Sequence, residues 1–231
     1  MEPILKASNL TKAYFRKKGL NGLNLEIPLG RIVGLLGPNG SGKTTFIKIA
    51  AGVLRHSSGE IKIDGQNPGV YTKSVVAYLP DVNFLYKWMK IRDAVKFYKD
   101  MFKDFDENKC RELLKFMTLD ENDRVTALSK GMLEKLNLSL TLARKAKLYI
   151  LDEPLGGVDP TAREKILNAI LDNYREDSSM LVTTHLVNDI ERLFDDVAFI
   201  SEGKIILQGN AEELRVEKSK SIDELYREVF Q

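Results

Sequence analysis

The hydrophobic residues of this chain follow two periods, which predict strands over some segments and helices over others. Short apolar runs, and apolar residues that alternate with polar ones, are typical of strands. Turn signals accompany them: a basic turn at residues 16–19, a turn at 57–59 and an Asp-Gly hairpin signal at 64–65. The predicted strands span residues 4–9, 23–27, 31–36, 60–63, 74–79, 148–151, 180–183, 197–200 and 204–207.

Between residues 81 and 147 the apolar residues instead recur every three or four positions, which predicts three helices. A further helix is predicted from Pro160, with Asp159 as its N-cap, and a mixed-charge helical tail covers 211–231. Because strands alternate with helices, we expect an α/β fold with a mainly parallel sheet covered on both faces. The three apolar faces contain Ile91, Ala94, Val95 and Tyr98, then Leu113, Leu114 and Met117, then Leu133, Leu136, Leu140 and Ala143.

The composition excludes several classes of protein. With 35 basic and 33 acidic residues the formal net charge is +2, so no global field calls for a nucleic acid as partner. The single cysteine, Cys110, excludes an internal disulfide, and we expect it to be a packing residue in a reducing cytoplasm. Residues 1–6 do not resemble a signal peptide, and no stretch approaches the roughly 18 apolar residues that cross a bilayer. We therefore expect another chain to provide any membrane-spanning part.

The strongest chemical signal is the segment 37–45, which matches the phosphate-binding pattern G-x-x-x-x-G-K-[ST] between a predicted strand and a predicted helix at 45–51. Its glycines allow backbone N–H groups to point at phosphate oxygens, and the positive end of the helix faces the same anion. Lys43 is expected to reach the β- and γ-phosphates, and the Thr44 hydroxyl to bind Mg²⁺. The sequence therefore predicts a nucleoside triphosphate site that includes Gly37, Asn39, Gly40, Ser41, Gly42, Lys43, Thr44 and Thr45.

Two further strand ends carry candidate catalytic groups. The apolar strand 148–151 runs into Asp152 and Glu153, which we assign to Mg²⁺ and to the activation of the attacking water, respectively. Taken alone, an acidic strand end is often only a turn. His185 ends another strand and could orient the water, although a histidine there is ordinarily a cap or simply exposed. Tyr14 could stack on an adenine, or it could be an edge tyrosine that packs on the sheet.

Together these segments resemble the ATP-binding subunit of ABC transporters over residues 4–210. The resemblance implies a P-loop NTPase (RecA-like) fold with an antiparallel β subdomain and an inserted helical subdomain. Residues 1–80 and 148–210 would form the ATPase core, 81–147 the helical subdomain and 211–231 a helical tail, all within one domain at 1–231. It also implies ATP and Mg²⁺ as ligands. Tyr14 would be the adenine-stacking aromatic, 37–45 the Walker A loop, 148–153 the Walker B strand, 156–159 the D-loop and His185 the switch histidine.

The family signature L-S-G-G-Q corresponds here to Leu-Ser-Lys-Gly-Met at 128–132. In the family this segment completes the ATP site of a second subunit, which implies that Ser129, Gly131 and the D-loop residue Asp159 contact a partner's nucleotide. Lys130 replaces a glycine and Met132 a glutamine, so a flexible position and a polar side chain are lost. Asp81 occupies the position of a glutamine that touches Mg²⁺, and aspartate could still bind the metal.

The resemblance implies two partners, a transmembrane permease and a second ATP-binding subunit, and a location on the inner face of the cell membrane. The direction of transport leans toward export, because the chain lacks the long C-terminal regulatory domain of some importer ATPases. Leu85, Tyr86, Trp88 and Met89 lie where the family receives its membrane partner, and they could belong either to that interface or to the core. The alternative function is a soluble ABC ATPase of an assembly system, such as iron–sulfur cluster assembly.

Overall fold

The computed structural model describes residues 2–15, 17–175 and 177–230, and in this part of the chain it contains two β-sheets and nine α-helices. Short 3₁₀ turns lie at Val125–Ala127 and Glu191–Leu193. The strands are β1 (Leu5–Tyr14), β2 (Lys17–Ile27), β3 (Ile32–Leu36), β4 (Ser58–Ile63), β5 (Val76–Leu79), β6 (Leu148–Asp152), β7 (Ser179–Thr184), β8 (Asp196–Ser201) and β9 (Lys204–Asn210). The helices are α1 (Lys43–Ala50), α2 (Val70–Val75), α3 (Ile91–Met101), α4 (Glu107–Phe116), α5 (Lys130–Leu142), α6 (Pro160–Asn173), α7 (Val187–Ile190), α8 (Ala211–Lys218) and α9 (Ile222–Phe230).

The larger sheet has six strands in the order β5-β6-β7-β3-β8-β9, and all neighbours are parallel except β8 and β9. Since the carboxyl ends of parallel strands meet at one edge, Leu36, Asp152 and Thr184 end at the same side of the sheet. This sheet and its flanking helices confirm the predicted α/β fold. The edge where these three strands end is where the candidate site assembles.

The smaller sheet is antiparallel, in the order β2-β1-β4. The turn predicted at 16–19 is wrong for Lys17–Gly19, which lie in β2. The reason is that the β1–β2 ladder continues to the Tyr14–Lys17 pair. Arg16 lies outside the described residues. The turn predicted at 57–59 is likewise shorter, because Ser58 and Gly59 already belong to β4. The Asp64–Gly65 turn is confirmed, with both residues at positive φ and two backbone hydrogen bonds between Ile63 and Gln66.

Two apolar cores lie on opposite faces of the larger sheet, because successive residues of a strand point to opposite sides. In β3, Val33 and Leu35 face the core shared with the smaller sheet and α1, whereas Ile32 and Leu36 face the core under α3–α6 and α9. Cys110 is buried in the second core, and burial raises the pKa of its thiol to about 12, which fits the predicted packing role.

The helices of 81–147 form where the sequence predicts them, and the tail is helical as expected. Two short helices were missed, α2 and α7. Helix α2 occupies the start of the strand predicted at 74–79, so that β5 begins only at Val76. The division of the chain into an ATPase core, a helical subdomain and a tail stays a prediction. Within the described ranges, no helix combines the length and the apolar character that a bilayer crossing requires.

The apolar segment that follows Asp81 divides between core and surface. Leu85 and Met89 are buried in the core under α3–α6. Tyr86 and Trp88 are exposed, and their rings stack at 5.9 Å. The core alternative therefore holds for Leu85 and Met89, whereas an interface role for the exposed Tyr86 and Trp88 stays a prediction.

Candidate functional site

The loop of residues 37–42 connects the end of β3 to the start of α1, in the strand–loop–helix order that the motif requires. Gly42 has φ +115°, which L side chains rarely adopt, and a Cβ there would lie 2.5 Å from the carbonyl oxygen of Gly19. A Cβ on Gly37 would overlap the carbonyl oxygen of Ile200. The glycines at these two positions are therefore dictated by the fold of the loop.

Lys43 is the first residue of α1, directly after this loop, and only 7% of its surface is exposed. Its Nζ donates hydrogen bonds to the carbonyl oxygens of Gly37, at 2.6 Å, and of Pro38, at 3.2 Å. Burial lowers the pKa of the Lys43 ammonium, and the nearby carboxylates of Glu153 and Asp152 oppose this shift. A polyanion next to this ammonium would compensate for its burial.

The Ser41 side chain shows that the loop has an unused hydrogen-bonding group. Its Oγ is buried and has no hydrogen-bond partner among the described residues. Buried polar groups without a partner are rare in native proteins and point to a ligand or water. The loop thus combines a free hydroxyl, a buried cation and a helix N-terminus, which together fit a phosphate group.

Asp152 ends β6 and is almost fully buried, at 3% exposed. Its Oδ1 accepts a 2.7 Å hydrogen bond from the Thr183 hydroxyl of the neighbouring strand β7. Burial raises the pKa of Asp152, the Thr183 bond opposes this shift, and the carboxylate of Asp81 adds to it. A buried carboxylate that faces other carboxylates is stabilised by a cation.

Glu153 and His185 contact each other directly, although 32 residues separate them. The Glu153 carboxylate accepts a hydrogen bond from the backbone N–H of His185 at 3.2 Å, and Oε2 lies 2.8 Å from the ring Nδ1. Glu153 has φ +52°, and its own N–H donates to the carbonyl oxygen of Thr183 at 3.1 Å. A non-glycine residue at positive φ costs free energy and is often found at functional sites.

These groups border one cleft of about 310 Å³ at the carboxyl edge of the sheet. It brings together most of the predicted phosphate-loop residues with Tyr14, Asp81, Asp152 and Glu153, and His185 joins them through Glu153. Gly37 and Ser41 lie in the loop itself and do not line the cleft. The loop residues in the lining are Asn39, Gly40, Gly42, Lys43, Thr44 and Thr45.

Sequence reasoning missed one cation of this cleft. Lys17 lines it beside Tyr14, and its signal was the basic run that the sequence analysis assigned to a turn. The half-exposed Tyr14 ring lies against Gly19, its hydroxyl is 3.4 Å from Thr45 Oγ1, and the Lys12 ammonium is 5.4 Å from the ring centre. The entrance of the cleft therefore offers an aromatic surface flanked by positive charge.

The cleft contains three residues with side-chain oxygens that can bind a metal: Asp152, Thr44 and Asp81. Oxygen is the ligand type that Mg²⁺ prefers. The described part of the chain contains no group of three His, Cys, Asp or Glu side chains that could hold a metal by itself. Mg²⁺ usually binds through one or two carboxylates together with waters and substrate phosphates. The donor set in the cleft fits that kind of site.

Ser129, Gly131 and Asp159 do not line this cleft. Ser129 is the N-cap of α5, where its Oγ accepts from the Met132 N–H at 3.2 Å, and Asp159 caps α6 by accepting from the Ala162 N–H at 3.0 Å. Ser129 and Asp159 are exposed. They are thus free to meet a second molecule, which is the arrangement that their predicted role requires.

Lys130 crosses over the D-loop of its own chain. Its side chain occupies the space where a Cβ on Gly157 would lie, and Gly157 has φ +75°. Its Nζ is 3.8 Å from Glu134 Oε1, one helical turn along α5. The positive φ of Gly157 therefore favours glycine there, and the end of the Lys130 side chain fills the space beside it.

We expect Gly157→Ala to lower the free energy of unfolding by more than about 1 kcal/mol, mainly because of the positive φ and to a smaller extent because the end of Lys130 must move aside. Lys130→Ala alone should change it by less than about 1 kcal/mol, because an exposed ion pair contributes little. Combining the two should recover part of the Gly157→Ala loss, measured by urea unfolding of all four proteins. Strictly additive effects would contradict the contact.

A second cavity of about 240 Å³ adjoins the cleft on the other side of Asp81, between the end of β6 and α5. Glu134 and Asn137 of α5 line it, and Glu134 Oε2 and Asn137 Oδ1 are buried without hydrogen-bond partners in the described part of the chain. Burial raises the pKa of Glu134 to about 7. Nothing in the sequence pattern pointed to these two residues, which occupy ordinary positions of a predicted helix.

Comparison with known sequences gives a consistent result. The ABC transporter family model matches residues 20–156. The lantibiotic transport ATP-binding protein SrtF of Streptococcus pyogenes is 32% identical over 225 residues, which cover 96% of this chain and 96% of SrtF. The linearmycin resistance ATP-binding protein LnrL of Bacillus subtilis (strain 168) is 30% identical over 219 residues, which cover 91% of this chain and 70% of LnrL.

Comparison with solved structures agrees. A structure described as the ATP binding subunit of an ABC transporter superposes with a TM-score of 0.88 at 26% identity. The superposition covers 97% of this chain and 98% of the solved one. The likeness therefore extends over nearly the whole chain.

Proposed function

This chain belongs to the ABC transporter family and is an ATPase, and we propose that two such subunits enclose two Mg-ATP molecules and drive a separate transmembrane subunit that exports its substrate. The observation that carries the proposal is the single cleft that the phosphate loop, the buried Asp152 and the Glu153–His185 pair share. The cleft combines a phosphate-binding loop, a lysine, side-chain oxygens suited to Mg²⁺ and a candidate general base, which are parts that phosphoryl transfer uses.

In the proposed mechanism the loop first binds the triphosphate. Backbone N–H groups at the start of α1 and the Ser41 hydroxyl would donate to phosphate oxygens, and Lys43 would exchange its bonds to the Gly37 and Pro38 carbonyls for bonds to phosphate. The adenine would stack on the Tyr14 ring, with Lys17 nearby. Binding thus uses groups from both sheets.

Hydrolysis then depends on the groups opposite the loop. Thr44, Asp152 and Asp81 would hold Mg²⁺, which neutralises charge on the phosphates when bound. Glu153 would accept a proton from the attacking water, as a general base. His185, bonded to Glu153 through both its backbone N–H and its ring, would hold that carboxylate in place and so orient the attacking water.

In the proposed dimer, the contact with the second subunit is made by predicted site residues that do not line the cleft. Ser129 and Asp159 are exposed helix caps, and Gly131 has open space around the position of a Cβ within the described structure. The N-terminus of α5 therefore presents a polar, accessible end to an incoming nucleotide. A second subunit would bring its own bound ATP to this end.

The proposed contact with the membrane subunit is an exposed aromatic surface formed by Phe84, Tyr86, Trp88 and Phe97, which we call the docking surface. Phe84 and Phe97 both contact Tyr98, which also lines a groove of about 240 Å³ with the exposed Val53. An exposed apolar patch beside a groove is typical of a protein interface. The occupant we propose is an amphipathic helix from a cytoplasmic loop of the membrane subunit, which would place this chain on the inner face of the membrane.

Two similarities support the direction of transport. SrtF is named for lantibiotic transport and LnrL for linearmycin resistance. By analogy we propose that this chain supports the export of a compound through an unidentified permease. The substrate would be selected by that permease.

The test of the proposed function is affinity purification of the tagged Glu153→Gln variant, with ATP, from detergent-solubilised membranes of the host cells. We expect a multi-spanning membrane protein in near-equal amount, and we expect it to raise the ATPase rate of the wild-type chain after reconstitution. The matched control is the wild-type chain with ADP. Recovery of soluble assembly factors without a membrane protein would contradict the transporter role and favour the assembly ATPase.

We expect Trp88→Ala to weaken this co-purification about tenfold or more, because exposed tryptophans are frequent hot spots of interfaces. The ATPase rate and the melting temperature of the isolated subunit should stay unchanged, since the Trp88 side chain is 68% exposed. The control is Val216→Ala, a similarly exposed apolar residue on α8. A loss of folding in Trp88→Ala, or unchanged co-purification, would count against the docking surface.

A further inference from the structure

The C-terminal helix α9 packs on the segment that follows His185. That segment contains Leu186, the four-residue helix α7 and a 3₁₀ turn at Glu191–Leu193. Ile222 and Leu225 of α9 are buried in the same core as Val187 and Ile190 of α7. A helix of one turn is not stable by itself, so its position depends on what packs against it.

Both tail helices, α8 and α9, donate a hydrogen bond to the same residue of this segment, Glu191. Its carboxylate accepts a hydrogen bond from the Asp223 backbone N–H at 2.9 Å, at the start of α9. Its carbonyl oxygen accepts from the Arg215 guanidinium of α8 at 2.8 Å. We call these two bonds the Glu191 clamp, and they connect the tail to the segment six residues after His185.

Three aromatic rings form a second contact. Tyr226 and Phe230 of α9 lie 4.9 Å apart and contact Phe199 of β8 at 6.0 and 5.8 Å. Phe199 pairs across the sheet with Leu36, the last residue before the phosphate loop. This aromatic cluster therefore connects α9 to the strand end beneath the loop.

Tyr226 also interacts electrostatically with Glu153, one of the proposed catalytic groups. Burial raises the pKa of the Tyr226 phenol, and the Glu153 carboxylate raises it further. The ring thus lies within the field of the group proposed to activate water. Other charged groups near α9 are Asp223, which pairs with Arg227, and Glu228, which pairs with Lys220.

We propose that α9 is a positioning element for ATP hydrolysis. The aromatic cluster and the Glu191 clamp hold the segment after His185, so that the His185 ring stays bonded to Glu153. Tyr226 and Glu191 are positioning residues in this scheme and do not touch the nucleotide. This inference rests on the proposed roles of Glu153 and His185. Because small displacements of a reacting group slow catalysis strongly, loosening the segment should lower kcat and leave ATP binding in place.

The experiment compares Tyr226→Ala with Tyr226→Phe, which keeps the ring, and with Val229→Ala, a control at an exposed position of the same helix. We expect Tyr226→Ala to lower kcat about tenfold with KM for ATP within about twofold, and the other two to behave as wild type. Glu191→Ala, which removes the carboxylate bond of the clamp but leaves the three rings in the sequence, should lower kcat in the same direction and keeps the test valid if Tyr226→Ala does not fold.

A double-mutant cycle with His185→Ala separates positioning from general destabilisation. If α9 acts through His185, Tyr226→Ala should have little further effect on the residual rate of His185→Ala. Equal losses in both backgrounds, or an unchanged kcat in Tyr226→Ala and Glu191→Ala, would overturn the inference. Failure of the proposed function would look different, because the wild-type chain itself would then lack turnover or Glu153→Gln would retain it.

Discussion

Glu153→Gln is expected to lower kcat about 10³-fold while ATP still binds, which is within the range that loss of a general base produces. Glutamine has nearly the same shape, and its carbonyl oxygen can still accept the hydrogen bond that Glu153 receives from the His185 N–H. It carries no negative charge and cannot take a proton from water. The change therefore removes the chemical step and leaves the architecture of the cleft intact.

The measurement is phosphate release under saturating Mg-ATP, together with ATP affinity from a fluorescent analogue. Glu202→Gln is a matched control, because Glu202 is also a glutamate at positive φ but lies exposed in the turn between β8 and β9. It should hydrolyse ATP at the wild-type rate. Turnover close to wild type in Glu153→Gln would refute the role assigned to Glu153.

Lys43→Ala should affect binding and turnover together. Removing an ammonium that bonds to phosphate is expected to weaken ATP binding about 10- to 100-fold, the equivalent of one charge-assisted hydrogen bond or two. Loss of charge stabilisation in the transition state should lower kcat a further 10²-fold or more, as a rough figure. The reason is that Lys43 is the buried cation of the loop, with its Nζ held between two loop carbonyls.

Lys48→Ala on the same helix is the control, because Lys48 is exposed and does not line the cleft. It should bind and hydrolyse ATP as the wild type does. Melting curves of both variants with and without ATP separate loss of binding from loss of fold, since bound ligand raises the melting temperature only where it binds. Lys43→Ala that is stabilised by ATP as strongly as wild type would contradict the assignment.

The phosphate loop and the acidic strand end could be predicted because each is local. The loop spans nine consecutive residues, and its glycines, lysine and threonine act through neighbouring backbone. Asp152 and Glu153 follow a short apolar run of the kind that forms a buried strand. The alternation of strands and helices predicts that the strands pair in parallel. Parallel pairing in turn places this strand end beside the loop.

Boundaries and short elements could not be predicted, because they depend on pairing across the fold. The β1–β2 ladder continues through Lys17, so a basic run that favours a turn became a strand and a side of the cleft. Helix α2 ends in the segment 74–79, whose apolar residues fit a strand equally well. Such local ambiguity is resolved only by tertiary contacts.

The sequence by itself determined the fold class, the phosphate loop, the acidic strand end and the family, because these are written in contiguous residues. Only the tertiary structure decided that His185 bonds to Glu153, that Lys130 covers Gly157, and that α9 packs behind the histidine segment. The same holds for the division of the aromatic segment after Asp81 into a buried half and an exposed half. These are contacts between side chains distant along the chain or in different elements, and their geometry follows from how the elements pack, which periodicity does not encode.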